Sequence, residues 1–168
     1  MDSKLHPIVV KIGGSTLGSD DTTLQDLVEL QRQGCPVLVV HGGGPIINQW
    51  VKSIGVRPRF VRGLRVTDDP TMEIVLAVLA GQVNKRLVAS VQRLGGDAVG
   101  VSGVDGGLIQ AQVRDPEMGL VGEIVDVRTS VVDRILRDGV IPFVAPVALS
   151  DGLSSSESAT ILNVNGDT

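Results

Sequence analysis

Two apolar runs that break straight into glycine constrain this chain more than any other feature: IVVKIGG at 8–14 and VLVVHGGGP at 37–45. Both runs are short and rich in β-branched residues, so each reads as a strand buried on both faces, as in a parallel sheet. Glycine at a strand end lets a ligand approach the main chain, and Pro45 suits the first turn of a following helix. Amides at such a turn form a concavity suited to phosphate or carboxylate. Two strand ends of this kind can converge on one anion. Neither loop spells G-x-G-x-x-G or G-x-x-x-x-G-K-[ST], which argues against a dinucleotide or P-loop site.

The remaining pattern alternates strands and helices. It predicts a strand at 8–12, a helix at 22–33, a strand at 37–41, a helix at 45–54, a short extended pair near 59–66, a long helix at 70–94 and a strand at 97–102. Such alternation implies an α/β three-layer sandwich with a mainly parallel central sheet. Met72, Val75, Leu76, Leu79, Val83, Leu87 and Val91 recur at helical spacing, as a core-facing stripe does. Residues 105–128 read as a hairpin excursion, and a helix at 130–138 ends at Gly139. The apolar run 140–147 is interrupted by Pro142 and Pro146, which predicts a strand at a sheet or site margin. The final ILNVNGDT alternates apolar and polar residues, which would place Asn163, Asn165 and Asp167 on one strand face. Ending there, it is expected to lead into a further element.

Composition narrows the partners. At 168 residues and 42% hydrophobic content the chain suits one domain with a substantial core. Fifteen basic against nineteen acidic residues give a net charge of -4, and aromatics make up 2%, so no basic or stacking platform for nucleic acid is expected. No membrane segment or signal-type leader is read in the sequence, and the expected location is cytoplasmic. Cys35 is the single cysteine, which excludes an intrachain disulfide and a thiolate cluster; His6 and His41 are too few and too far apart for a zinc site. No metal ligands are assigned.

VVKIGGS, VVHGGGP, GLRVT and NVNGD, in this order and at these separations, resemble the amino acid kinase family, and within it the acetylglutamate kinases. The likeness spans the whole chain. It implies the carbamate kinase-like fold, with residues 1–168 as the N-terminal domain that binds an acyl amino acid and dimerises, and with a separate C-terminal domain for ATP. The implied reaction moves the γ-phosphoryl group of ATP, with Mg2+, to the side-chain carboxylate of N-acetyl-L-glutamate, in arginine biosynthesis. On that reading the chain is a truncated, catalytically incomplete form that holds no cofactor tightly and forms a homodimer. With a first strand starting by Ile8, the resemblance leads to the expectation of a dimeric form without the N-terminal helix that links arginine-inhibited members into hexamers.

The resemblance also carries residue roles. Lys11 would contact the transferring phosphoryl group, and Asp167 would orient Lys11; these are the catalytic assignments. Amides of Gly13 and Gly14 would stabilise the phosphoryl oxygens. Gly43, Gly44, Arg65, Asn163 and Asn165 would bind the substrate, Arg65 gripping its α-carboxylate. Gly63 and Leu64 would shape the pocket, whereas Arg57, Arg59 and Arg62 read as solvated charges. Two alternatives stay open: a kinase of carrier-linked aminoadipate or glutamate, and a noncatalytic amino-acid-binding module.

Overall fold

The computed structural model describes residues 6–13, 22–151 and 160–168. β1 (Ile8–Ile12) is followed by α1 (Thr23–Arg32), β2 (Val37–His41) and α2 (Gly44–Ser53). A small hairpin, β3 (Phe60–Val61) and β4 (Leu64–Arg65), leads to α3 (Asp69–Leu76), which runs through a π-helical segment, Ala77–Val83, into α4 (Asn84–Arg93). Then come β5 (Ala98–Ser102), β6 (Ile109–Val113), β7 (Gly122–Val127), α5 (Ser130–Arg137), β8 (Ile141–Ala145), β9 (Val147–Ser150) and β10 (Ile161–Asn163).

Local chemistry explains the main boundaries. Asp68 accepts a hydrogen bond from the Thr71 amide at 3.0 Å and Pro70 fills the first turn, so α3 starts where a side-chain cap and a pre-set φ coincide. Hydrogen bonding from the Thr71 side chain, and to a lesser degree from its amide, lowers the Asp68 carboxyl pKa from its ordinary value. Gly34, Gly95 and Gly139 follow α1, α4 and α5 at φ near 75–79°, the left-handed region that closes a helix with least strain in glycine.

β1, β2, β8 and β5 form a four-stranded, wholly parallel sheet in the order β1-β2-β8-β5. Its alternate residues face two different cores. Val39 and Phe143 join Leu27, Val75 and Leu87, whereas Leu38, Val40, Val101 and Val144 pack with Val132 of α5. Helices thus cover both faces, the three-layer α/β arrangement the alternation predicts. The described part of the long helix is long and apolar enough, by length and composition, to cross a membrane. Here it is a core helix, and Val75, Val78 and Val91 along it are fully buried.

A second, mixed sheet in the order β10-β9-β6-β7 holds the predicted hairpin excursion as β6 and β7. The run 140–147 differs from expectation. Its first part, β8, is a central strand with every residue buried, not a margin. Pro142 is tolerated because the ladder to β2 begins one residue later, at Val39↔Phe143. Pro146 then ends β8 and hands the chain to β9 in the other sheet. One apolar run therefore serves both sheets, with Pro146 at the joint.

Candidate active site

Parallel pairing of β1 with β2 places Ile12 opposite His41, so the two glycine loops leave the sheet side by side at its carboxyl end. The Gly42 amide donates to the Ile12 carbonyl at 2.8 Å, which ties the second loop to the first. Ligands of open α/β sheets bind outside this end of the strands. Gly13 follows β1 directly, while Gly14 lies outside the described residues. Gly43 caps α2, its carbonyl accepting from the Ile47 amide at 3.0 Å, and Pro45 sits in the first turn as the sequence suggests.

Glycine at 43 has a packing reason besides ligand approach. Its φ of -174° is extended backbone open to any residue. A Cβ there would lie 2.7 Å from Leu79 Cδ2 and 3.3 Å from Val83 Cγ2, so the glycine lets the π-helical segment press against the loop.

Gly42, Gly43 and Gly44 line a cavity of about 180 Å³ together with Gly63, Leu64 and Arg65 from the hairpin, Pro146 from the sheet joint, and Asn163, Asn165 and Gly166 from the last described segment. Pro146 shapes this wall through its carbonyl, which accepts from the Val164 amide at 3.2 Å.

Arg65 is the charged residue most committed to the cavity. Its side chain is buried, with 8% of the residue exposed. Nη2 donates to Asn48 Oδ1 at 2.7 Å and approaches the Gly44 carbonyl at 3.4 Å, and the guanidinium lies 4.8 Å from the centre of the Phe60 ring. Nη1 is buried without a hydrogen-bond partner among the described residues. Burial lowers its pKa from the ordinary arginine value, yet a guanidinium in a protein stays protonated. An unpaired buried donor costs about 1–3 kcal/mol, more when charged, and a bound carboxylate would remove that cost. Arg57, Arg59 and Arg62 are exposed, as read from the sequence.

Asn163 ends β10, and its Nδ2 donates to Thr67 Oγ1 at 3.1 Å. Thr67 is fully buried and in turn donates to the Arg65 carbonyl at 2.9 Å, so the two cavity residues share one hydroxyl as a brace. Asn165 and Asp167 do not extend the strand, because β10 stops at Asn163. Asn165 Oδ1 accepts from the Asp167 amide at 3.2 Å, and this local side-chain turn replaces strand pairing. Its carboxamide nitrogen makes no part of that turn. The turn carries Asp167 to Lys11, whose Nζ lies 2.6 Å from Asp167 Oδ1 at the surface. Lys11, Asp167 and Gly13 do not line the cavity itself.

Asn48 and Thr67 escaped the sequence reading. Asn48 lies one turn into α2 with nothing local to mark it, whereas Thr67, two residues beyond Arg65 in GLRVT, sits inside a motif already singled out.

The sequence profile of the amino acid kinase family matches residues 6–168. The chain belongs to the amino acid kinase family. Among relatives in that family, acetylglutamate kinase of Dehalococcoides mccartyi is 40% identical over 162 residues, a match covering 96% of this chain and 60% of the relative. Acetylglutamate kinase of Cereibacter sphaeroides is 43% identical over 164 residues, covering 96% of this chain and 54% of the relative. The chain thus spans little more than half the length of these kinases. Of solved structures, smu.665 from Streptococcus mutans superposes with a TM-score of 0.84 at 27% identity, covering 96% of this chain and 64% of that one. Across the family match, the strand-to-glycine junctions at 12–13 and 41–42 fall within the aligned region.

Proposed function

We propose that this chain carries the acyl-amino-acid site of an N-acetyl-L-glutamate kinase, and that the groups binding ATP lie in the part of its relatives' length that it does not span. The observation that carries the reading is Arg65: a buried guanidinium with one unpaired nitrogen, lining a small cavity that glycine backbone, two carboxamides and apolar side chains enclose. Two relatives named acetylglutamate kinase support the substrate class.

In the proposed reaction an oxygen of the substrate's side-chain carboxylate attacks the γ-phosphorus of ATP. The bond from that phosphorus to the bridging oxygen breaks, ADP leaves, and an acyl phosphate remains. The obstacle is electrostatic, since two unit charges about 4 Å apart repel by roughly 4 kcal/mol at an effective dielectric near 20. The chain's contribution is therefore positioning and neutralisation. Arg65 binds the α-carboxylate, and Asn163 and Asn165 offer carboxamides to the remaining polar groups. Gly43 and Gly44 present backbone to the reacting carboxylate. Gly13 and Gly14 present theirs to the phosphoryl group, and Lys11, held by Asp167, supplies the positive charge beside it. Mg2+ travels with the nucleotide in this reading; among the described residues no three His, Cys, Asp or Glu side chains group to cage it.

The same proposal includes a cytoplasmic homodimer formed along the Asp69–Arg93 helix.

Calorimetric titration with N-acetyl-L-glutamate, glutamate and α-aminoadipate tests the substrate. Selective binding of the acetylated amino acid supports the proposal. Equal or preferred binding of α-aminoadipate by a folded sample would move the assignment to a carrier-linked substrate. Supplying the remaining length of a relative should restore ATP turnover, whereas a pure binding module would stay silent.

A further inference from the structure

His41 closes β2 immediately before the glycine run and is fully buried. Its Nε2 lies 3.0 Å from Asn84 Nδ2, and its Nδ1 lies 3.2 Å from the Gly42 carbonyl. The surroundings of Asn84 fix which end of its amide faces the ring. Nδ2 also reaches the carbonyls of Phe143 at 2.9 Å and Val101 at 3.3 Å, and only an NH2 group suits two carbonyl acceptors. On the other side, Oδ1 accepts from Lys85 Nζ at 3.0 Å, and that ammonium also donates to the Gly100 carbonyl at 2.9 Å. Gly100 leaves the space for this, since a Cβ there would sit 1.7 Å from Asn84 Oδ1.

The two hydrogens of the Asn84 NH2 are shared among three acceptors and its nitrogen cannot itself accept, so a proton on Nε2 would face it at 3.0 Å with no acceptor; Nε2 is therefore unprotonated, and the imidazole proton resides on Nδ1 and donates to the Gly42 carbonyl. The described chain has no cis peptide bond, and in a trans peptide the carbonyl of one residue and the N–H of the next point in opposite directions. Drawing the Gly42 carbonyl toward His41 therefore aims the Gly43 N–H away from the imidazole. The long helix grips this peptide at both ends: Asn84 through His41, and Leu79 and Val83 directly against Gly43.

We infer that His41 is a positioning residue for the glycine loop: Asn84 holds it as the Nδ1–H tautomer, and that proton sets the orientation of the Gly42–Gly43 peptide facing the substrate carboxylate. The inference rests on the acyl-amino-acid reading for its ligand, but not for its geometry. Burial and the nearby Lys85 ammonium both favour the neutral ring the arrangement needs.

The test uses the 15N-labelled 168-residue chain. Long-range proton–nitrogen correlation should show His41 as the Nδ1–H tautomer, and an Nε2–H tautomer in the folded protein overturns the inference without any variant. His41→Leu, which has no donor, should shift the Gly43 amide resonance and weaken N-acetyl-L-glutamate binding by at least about tenfold. His41→Asn can still donate to the Gly42 carbonyl and should stay within about threefold of the parent, since the orienting hydrogen bond is kept. An unmoved Gly43 resonance in His41→Leu, or equal losses in the two variants, counts against a positioning role. If the parent chain fails to bind acetylglutamate while the tautomer and the Gly43 response hold, the substrate assignment falls and the positioning role stands.

Discussion

Lys11 Nζ lies 2.6 Å from Asp167 Oδ1, joining the first strand of the chain to the turn beyond its last described strand. Both side chains are largely solvent-facing, at 42% and 60% exposure, and ion pairs of that kind contribute only about 0.2–1 kcal/mol to folding. Asp167→Asn should therefore change the unfolding free energy by less than about 1 kcal/mol. In a reconstituted full-length enzyme it should depress turnover far more than substrate binding. Denaturant unfolding alongside steady-state kinetics checks this, and a large stability loss with unchanged turnover would make the pair structural.

Asn48 should matter through Arg65. Its Oδ1 is the short acceptor for Nη2, at 2.7 Å, and truncation leaves the guanidinium with the 3.4 Å approach to the Gly44 carbonyl. Asn48→Ala is expected to cost about 1–3 kcal/mol of stability, as for a lost hydrogen bond to a charged group. It should also weaken acetylglutamate affinity by about three- to tenfold, because the fork is no longer oriented. Arg65→Lys should not recover the parent affinity, since an ammonium lacks the planar fork. Calorimetry on both variants decides.

The β3–β4 hairpin turns on Arg62 at φ 49° and Gly63 at φ 81°, between the paired residues Val61 and Leu64. Positive φ at both positions is a type I′ turn, which prefers Asn-Gly over Arg-Gly. Arg62→Asn is expected to stabilise the chain by about 0.5–1 kcal/mol, seen as a raised denaturant midpoint at constant m. A lowered midpoint would show that exposed Arg62 makes a contact the turn geometry does not account for.

Acid should act through His41. Burial lowers its pKa from the ordinary 6.5, the Gly42 carbonyl partly opposing this and the Lys85 ammonium reinforcing it. The unfolded chain therefore binds the proton first, and stability falls as pH drops through about 6.5, by at most about 1.4 kcal/mol per unit, until the folded ring titrates. Above that window the residue contributes no slope. Unfolding free energies between pH 5 and 7.5 should show the slope in the parent and lose it in His41→Asn.

Much of this was readable in advance, for reasons visible in particular residues. The apolar runs leading into Gly13 and Gly42 marked two parallel strands, and the stripe from Met72 to Val91 marked the long helix. The π-helical stretch was not readable, because a locally widened helix keeps the same apolar stripe. Nor was the second sheet, since Pro146 looks in sequence like a blemish in one strand rather than a change of partner. In the site, GLRVT pointed to Arg65, but its burial depends on Asn48 and Phe60, neither marked by a local motif. The alternation in NVNGD suggested a longer strand than exists, because Asn165 turns the chain, its side chain accepting from the Asp167 amide and its carbonyl from the Thr168 amide.

The position of Pro146 has a mechanical consequence. Glycine-loop backbone reaches the cavity from the carboxyl end of the parallel sheet, whereas Asn163 reaches it from the mixed sheet, and Pro146 is the shortest of the connections by which the chain passes between the two sheets. A ligand touching both walls spans the seam and acts as a crossbar, so that occupancy stiffens one sheet against the other. Amide exchange at β9 and β10 should therefore slow on ligand addition, although most of their residues never meet the ligand.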